Sequence, residues 1–321
     1  MHGLQPSDDH PHPRGIGESW QENYLFMGMS DDASTAMYVH VARLPHHDAC
    51  DVKLAVMVGD VVGSFTTHLP WSDDLSVAGF SFSIEEPWAR WRVRAEGTGV
   101  TGAAGSLLTL QSGDVPLSAE FAWEAKVPPL IQSEGFAMLS DAGAGSSGHH
   151  YIQGGRWAGV VRLGDRSVEA SGWSIRDHTW GERNLPNMDH CWWTPMVLAD
   201  GRVELGGIDM YTKDGARTSF AFRRDGDRQV TLPHLTVDVV EGSIDDFGVT
   251  SIACGDDLRL TARRLVHMPI AYYRGGGVGW VSDDALCVLE ADDGSTGFGI
   301  IELNRAMTPA EVASLPESLR S

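Results

Sequence analysis

Cysteine is scarce in this chain: 4 in 321 residues, at Cys50, Cys191, Cys254 and Cys287, with no Cys-x-x-Cys pair. That spacing excludes a zinc knuckle and a dense disulfide framework, and it predicts reduced, mostly buried thiols. Positive charge is also short. There are 24 Lys and Arg against 44 Asp and Glu, a formal net charge of −20. A nucleic-acid binder needs cations to displace the counterions condensed on phosphates, so nucleic acid is excluded as a partner. No apolar run approaches the roughly 18 residues of a membrane span. The first residues, Met1 to Arg14, are polar where a signal peptide carries an apolar stretch. The expectation is a cytoplasmic protein without stable membrane insertion.

Several chemical signatures are missing as well. There is no HExxH, no GxSxG elbow and no P-loop, which removes the usual anchors of zinc proteolysis, α/β-hydrolase chemistry and nucleotide hydrolysis. His10, His12, His46, His47, His149 and His150 lie in polar, loop-like surroundings, and no metal site is expected from them. Gly97-Thr-Gly99-Val-Thr-Gly102 matches GxGxxG, but Ala103-Ala-Gly105-Ser106 after it leads into another strand-like run. A dinucleotide loop must open a helix whose amides face the pyrophosphate. A glycine-rich hairpin is expected there, and no cofactor.

What is abundant is strand. At 42% hydrophobic and 21% charged the chain can bury a core, and short β-branched or aromatic runs follow one another from end to end. In the first half these include Ala36 to Leu44, Val52 to Val58, Phe80 to Ile84, Leu107 to Leu110 and Leu117 to Ala125; in the second, Trp157 to Leu163, Val168 to Trp173, Trp193 to Leu198 and Val203 to Tyr211. Asp200-Gly201, Asp214-Gly215, Asp225-Gly226 and Asp293-Gly294 are hairpin dipeptides, so consecutive strands should pair antiparallel as a meander. Two successive sets of strands, each able to curl and hide its edges, predict two barrel-like units. The break at Pro128-Pro129 and the Gly- and Ser-rich stretch from Asp141 to Gly148 place the division near 147, giving units 15–147 and 148–306. Thr308-Pro-Ala-Glu311 reads as a capping box opening a short helix in a tail, 307–321.

The densest chemistry lies between Gly172 and Asn184. If Ile175 to Trp180 is extended, Arg176, His178 and Trp180 share one face, while Asp177 and Thr179 share the other. Two readings stand: acid–base catalysis by Asp177 or His178 with Arg176 tuning the acid, or a buried ion-pair network that joins the two units. Downstream, alternation puts Asp209 on a mostly apolar face with Val203, Leu205 and Tyr211. There it is either a proton donor raised by desolvation or a solvent-exposed strand end. His190 beside Cys191 would point away from it, which argues against a covalent cysteine mechanism. Eleven tryptophans among 27 aromatic residues exceed what packing seems to need; Trp180, Trp192 and Trp193, with Tyr24 and Tyr211, are candidates to line an apolar pocket or stabilise a carbocation.

The run Gly-x-x-x-Arg-Asp-His-Thr-Trp-Gly-x-Arg, Gly172 to Arg183, resembles the signature of the double lipocalin-like superfamily that includes carotenoid 1,2-hydratases and AttH-like proteins. Glu18-Ser-Trp20 through Tyr24, Asp200-Gly201 and Gly297-Phe-Gly299-Ile-Ile-Glu302 extend the likeness over residues 15–305. It is strongest to a bacterial branch with the Arg-Asp-His-x-Trp-Gly form. The resemblance implies an all-β fold of two consecutive lipocalin-like antiparallel β-barrels, with a cavity or cleft for an isoprenoid, steroid or polyketide-like molecule. It implies a cofactor-free acid–base enzyme, with hydration or dehydration of a C=C bond as the leading reaction. Isomerisation or cyclisation, or carriage without catalysis, are the alternatives. A lipophilic small molecule is the expected partner, and a homodimer is left open.

Overall fold

The computed structural model describes residues 3–104, 113–135, 146–183, 187–198, 203–226, 228–244, 246–256, 258–273 and 279–314. The first sheet contains β1 (Trp20–Ser30), β2 (Thr35–Leu44), β3 (Ala49–Val58), β4 (Val61–Pro70), β5 (Ser76–Val77), β6 (Phe80–Glu86), β7 (Arg90–Ala103), β8 (Val115–Ala125), β9 (Leu130–Ile131), β10 (Ser146–Leu163) and β11 (Arg166–Arg183). The second contains β12 (Met188–Trp193), β13 (Met196–Leu198), β14 (Val203–Thr212), β15 (Arg217–Asp225), β16 (Arg228–Leu232), β17 (Leu235–Ser243), β18 (Asp246–Cys254), β19 (Leu258–Tyr273), β20 (Gly279–Ala291) and β21 (Thr296–Ala306). A short helix, α1 (Pro309–Ser314), follows.

The pairing is antiparallel throughout. In the first sheet the order β4-β3-β2-β1-β11-β10-β8-β7 closes on itself, because Val61 to Ser64 of β4 pair with Ala103 to Val100 of β7. Eight strands thus form an up-and-down barrel with no free edge in the ring. The glycine-rich Gly97–Gly102 run lies inside β7, as a strand and not a nucleotide loop. The second sheet runs β16-β15-β14-β12-β21-β20-β19-β18-β17. Its two ends meet through side chains: the Ser219 hydroxyl accepts from the Leu235 N–H at 2.7 Å, and the Arg217 guanidinium donates to the Leu235 carbonyl at 3.0 Å. The expected all-β architecture of two lipocalin-like units is therefore the observed one. The turns at Asp214-Gly215, Asp225-Gly226 and Asp293-Gly294 place their glycines at φ 86°, 58° and 80°, the left-handed region that only glycine enters at no steric cost.

The composition break at 147 does not coincide with the change of sheet. β10 and β11 belong to the first barrel because β10 pairs with β8 and β11 pairs with β1, and the second sheet starts at Met188. The expected strand at Leu107 to Leu110, the turn at Asp200-Gly201, most of the Asp141–Gly148 stretch and the tail beyond 314 lie outside the described residues.

Three apolar clusters explain the patterning. Inside the first barrel, Phe26, Trp91, Trp123, Trp157 and their neighbours fill the lumen. Inside the second sheet, Trp192, Leu205, Phe247 and Leu303 do the same. Between them, Leu25, Met27, Ile152 and Ile175 of the first barrel pack against Trp193, Ile208, Phe220 and Ile300 of the second sheet. All eleven residues of β1 are buried for this reason: one face lines the lumen and the other lines the seam. By contrast β7, whose outer face meets water, alternates, with Trp91, Val93 and Ala95 inward and Arg90, Arg92 and Arg94 outward. The four cysteines are buried and in no disulfide.

Candidate functional site

The Arg176–Trp180 segment is extended within β11, so its side chains divide between two environments. Arg176, His178 and Trp180 enter the end of the first barrel. Asp177 and Thr179 enter the seam, on the face that carries Ile175. The structure does not bring Asp177 and His178 together.

At the barrel end, the N-terminal segment folds over the opening and inserts Asp9. The Arg176 guanidinium donates to Asp9 Oδ1 at 2.7 Å, to Gln153 at 3.0 Å and to the Tyr151 hydroxyl at 3.3 Å. It lies 5.0 Å from the Trp91 ring centre and 5.3 Å from that of Trp123. Asp9 also accepts from the Tyr151 hydroxyl and from the Trp91 indole N–H. Burial opposes its charge, but Arg176, Tyr151 and the Trp88 N–H outweigh it and hold Asp9 below the usual carboxylate range. Arg176, itself buried, is the strut of this end, with its Nε and Nη2 both engaged.

His178 sits beside this strut. Its Nδ1 is 3.1 Å from the Tyr151 hydroxyl and its Nε2 is 3.0 Å from Glu22 Oε1. Tyr24 stacks on its ring at 4.1 Å and donates from its hydroxyl to Glu22 at 3.1 Å. Burial pushes the His178 imidazole down, with Glu22 acting in the opposite sense. Glu22 also receives Arg43 and His12, the latter through Nδ1 at 2.8 Å and through its backbone N–H at 3.0 Å. Desolvation works against the Glu22 charge, yet these hydrogen bonds and cations hold it ionised well below its usual range. Trp180 stacks on His12 with ring centres 3.9 Å apart. A surface groove of about 310 Å³ opens beside this end, lined by His10, Pro11, Asp73, Phe82 and Ser83 among others.

Of the six histidines expected in loop-like surroundings, His10, His12, His46 and His47 lie outside the strands, and His149 and His150 do not. His12 is wedged between Glu22 and Trp180, and His149 and His150 lie in β10. Among the described residues, His12, Glu22 and His178 are a group with metal-competent donor atoms within 4.8 Å of one another. Sequence reasoning missed this because Glu22 and His178 are brought together only by the β1–β11 pairing.

The seam carries a different set. Asp177 bonds His150 Nε2 through Oδ2 and accepts from the Thr179 hydroxyl at 3.0 Å through Oδ1. The His150 ring lies 5.9 Å from that of Trp193, whose buried indole N–H has no protein acceptor. In the strand register Trp193 faces Glu302, and Glu302 faces Asp284. Asp284 is fully buried. Burial first, then the neighbouring Glu302 charge, raises its carboxyl well above the usual range, while Lys53, from β3 of the first barrel, acts the other way. The seam face thus holds the Asp177–His150 pair beside the Trp193 indole and, two strands from Trp193 across Glu302, a carboxyl that burial favours in its neutral form. Asp284 was not singled out from sequence; it lies in Ser-Asp-Asp-Ala, a stretch that reads as a polar turn. At the other margin of the seam, Glu204 accepts the Gly154 N–H at 2.7 Å, and burial pushes its carboxyl up to about 8.

Asp209 departs from expectation. It is buried on its strand, but it is neither an isolated acid nor a solvent-exposed end. Arg217 grips both its oxygens, at 2.6 and 2.9 Å, so a cation compensates the burial that would have made it a proton donor. Tyr211 stacks on His190 at 4.5 Å, outside both clusters, and Trp192 packs on Phe247 within the second sheet's core. Of the aromatic residues picked from sequence, Trp180 and Tyr24 flank His178, and Trp193 flanks His150.

Solved structures share this architecture. The protein NE1406 of Nitrosomonas europaea, assigned as an AttH, superposes with a TM-score of 0.66 at 14% identity, covering 94% of this chain and 96% of that one. Kievitone hydratase from Nectria haematococca gives 0.58 at 11% identity, over 88% of each chain. CghA in complex with Sch210972 gives 0.55 at 14% identity, over 90% of this chain and 89% of its own. At these identities the likeness is one of fold, and it bears out the double lipocalin-like resemblance read from the Gly172–Arg183 motif. No curated protein matches the sequence. Residues 5–307 match the model of the domain of unknown function DUF7064, and the chain belongs to that family.

Proposed function

We propose that the protein is an acid–base enzyme acting on a lipophilic small molecule held at the seam between its two sheets, with addition or removal of water at a C=C bond as its reaction. The observation that carries this reading is the set of buried ionisable groups on the seam face: Asp284, whose carboxyl burial and Glu302 raise well above its usual range, and Asp177, hydrogen-bonded to His150, whose ring lies 5.9 Å from that of Trp193. A carboxyl that its surroundings favour in the neutral form is suited to proton donation.

In the hydration direction, the Asp284 carboxylic acid transfers its proton to one alkene carbon. A C–H bond forms and a carbocation is left on the neighbouring carbon. The Trp193 π face stabilises that cation, and its buried N–H offers a donor to a ligand oxygen. Water attacks the cation to form the C–O bond and gives its proton to His150, whose positive charge Asp177 balances. Return of that proton to Asp284 through solvent resets the site. The apolar residues around the group, Leu25, Ile175 and Ile208, suit an isoprenoid, steroid or polyketide-like skeleton. A hydratase and CghA share this fold, which supports the assignment by analogy.

The test is mass spectrometry after incubating the protein with a panel of such molecules in oxygen-18 water. A product carrying one heavy oxygen supports hydration. An isobaric product moves the reading to an isomerase or cyclase at the same site, and tight binding without conversion makes the protein a carrier.

A further inference from the structure

The geometry points to a divalent metal site at the end of the first barrel, formed by His12 Nδ1, Glu22 Oε1 and His178 Nε2, with a divalent ion of zinc-like chemistry as ligand. The argument begins from hydrogen accounting. Tyr151 has one hydroxyl proton and gives it to Asp9, an acceptor that Arg176 holds ionised. Tyr151 can then only accept from His178, so His178 Nδ1 carries the proton of that 3.1 Å contact. The Nε2 of a neutral ring in this tautomer is a bare lone pair, and it faces the carboxylate oxygen Glu22 Oε1 at 3.0 Å. Two lone pairs at that separation need a cation between them. A metal ion would satisfy these two atoms and a third, His12 Nδ1, which is 2.8 Å from the same oxygen.

The surroundings are those of a built ligand set. All three donor atoms lie within 4.8 Å of one another. Donors bound at about 2.0–2.2 Å in a tetrahedron stand roughly 3.3–3.5 Å apart, so each ring nitrogen must move away from Glu22 Oε1 by less than about an ångström while the two nitrogens, within 4.8 Å of one another, swing toward a common ion. Trp180 stacked on His12 and Tyr24 stacked on His178 fix both ring planes. Tyr151 on His178 Nδ1 is the outer partner that a ligating histidine characteristically has. Arg43 occupies the other carboxylate oxygen, Glu22 Oε2, while Oε1, which also accepts from the Tyr24 hydroxyl and the His12 N–H, faces both ring nitrogens. His12 is one-fifth exposed and adjoins the groove that His10 and Pro11 line, which gives the ion a way in and an open position toward solvent. Two imidazoles and one carboxylate, with room for a fourth ligand, suit zinc or another first-row divalent ion better than calcium or magnesium. Because His12 belongs to the segment that caps the barrel, the ion would also fasten that segment in place.

The experiment is calorimetric titration of the full chain, freed of metal by a chelator, with zinc chloride, and in parallel with cobalt(II) followed by its visible absorption. The expected result is one equivalent bound, with a rise in Tm. Tyr151→Phe should weaken binding by about 10–100-fold, as loss of an outer partner does, and His12→Ala should abolish stoichiometric uptake and the cobalt bands. Should His178→Gln fail to fold, His12→Ala, on a partly exposed segment, still decides. No stoichiometric uptake by the folded wild type, or uptake that His12→Ala leaves unchanged, overturns the assignment. Metal uptake is read without turnover, so the outcome is independent of the chemistry proposed at the seam.

Discussion

Asp177 and His178 are consecutive in sequence and lie on opposite sides of one strand: Asp177 reaches into the seam to His150, and His178 reaches into the barrel end to Glu22 and Tyr151. Arg176 pairs with Asp9 within the end of the first barrel and does not join the two units, as a network between them would. The pair proposed for chemistry is Asp177 with His150, at the seam. Strand alternation alone produces this division, and it lets one short motif serve both the barrel end and the seam.

Removing Arg176 should cost stability and not chemistry. Arg176→Met leaves Asp9 as an uncompensated charge in a closed end, and loss of one partner of a buried pair costs about 3–5 kcal/mol. The double variant Asp9→Asn/Arg176→Met should recover part of that loss. Urea unfolding of the three chains measures it; equal stability of wild type and Arg176→Met would show that the strut carries no load.

The first glycine of the motif is predicted to be a packing requirement. A Cβ on Gly172 would lie 1.8 Å from the Met29 carbonyl oxygen and 2.7 Å from the Ser30 Cα, both backbone atoms of the paired strand. Gly172→Ala must push β11 from β1, and it should destabilise by about 1–3 kcal/mol, the usual cost of overpacking. An unchanged thermal midpoint would contradict this placement of the two strands.

The seam should weaken as pH rises. Glu204 titrates near 8 when folded and near its ordinary value, about 4.3, when unfolded. Its folded pKa is the higher one, so the stabilisation is fully present below about pH 4 and is lost as pH climbs through 8. The slope from this residue reaches about 1.4 kcal/mol per pH unit at most. Glu204→Gln keeps an acceptor for the Gly154 N–H and removes the charge, so its stability should vary less between pH 5 and 8.5 than that of the wild type. Chemical denaturation across that range checks it, and identical slopes would contradict it.

Much of the fold was legible because its signals are local. Alternation in Arg90 to Ala95, the Asp-Gly turns and the proline-opened helix at Pro309 each act over a few residues. The end of the first unit was not, because strand pairing outranks a composition break: β10 and β11 follow the glycine-rich stretch and still close the first barrel. The candidate site was half legible. The faces of Arg176, Asp177, His178 and Trp180 follow from the period of a strand. Their partners Asp9, Glu22 and His150 come from three other segments, and only the three-dimensional register joins them. Asp209 misled for a related reason. Its cation, Arg217, lies on the next strand, directly across from Tyr211, and the pattern within one strand cannot show it.

The central claim is that Asp284 and His150, the latter paired with Asp177, act on substrate and water at the seam. It is tested most directly by single-turnover rates of wild type, Asp177→Asn and Asp284→Asn on the molecule that acquires oxygen-18, with ligand affinity and thermal midpoint measured on the same samples. The account predicts that each variant stays folded, binds within a few-fold of wild type, and loses about 10²–10⁴ in rate, the usual worth of a positioned acid or base. Turnover undiminished in both folded variants would contradict it and remove the seam acids from the chemistry.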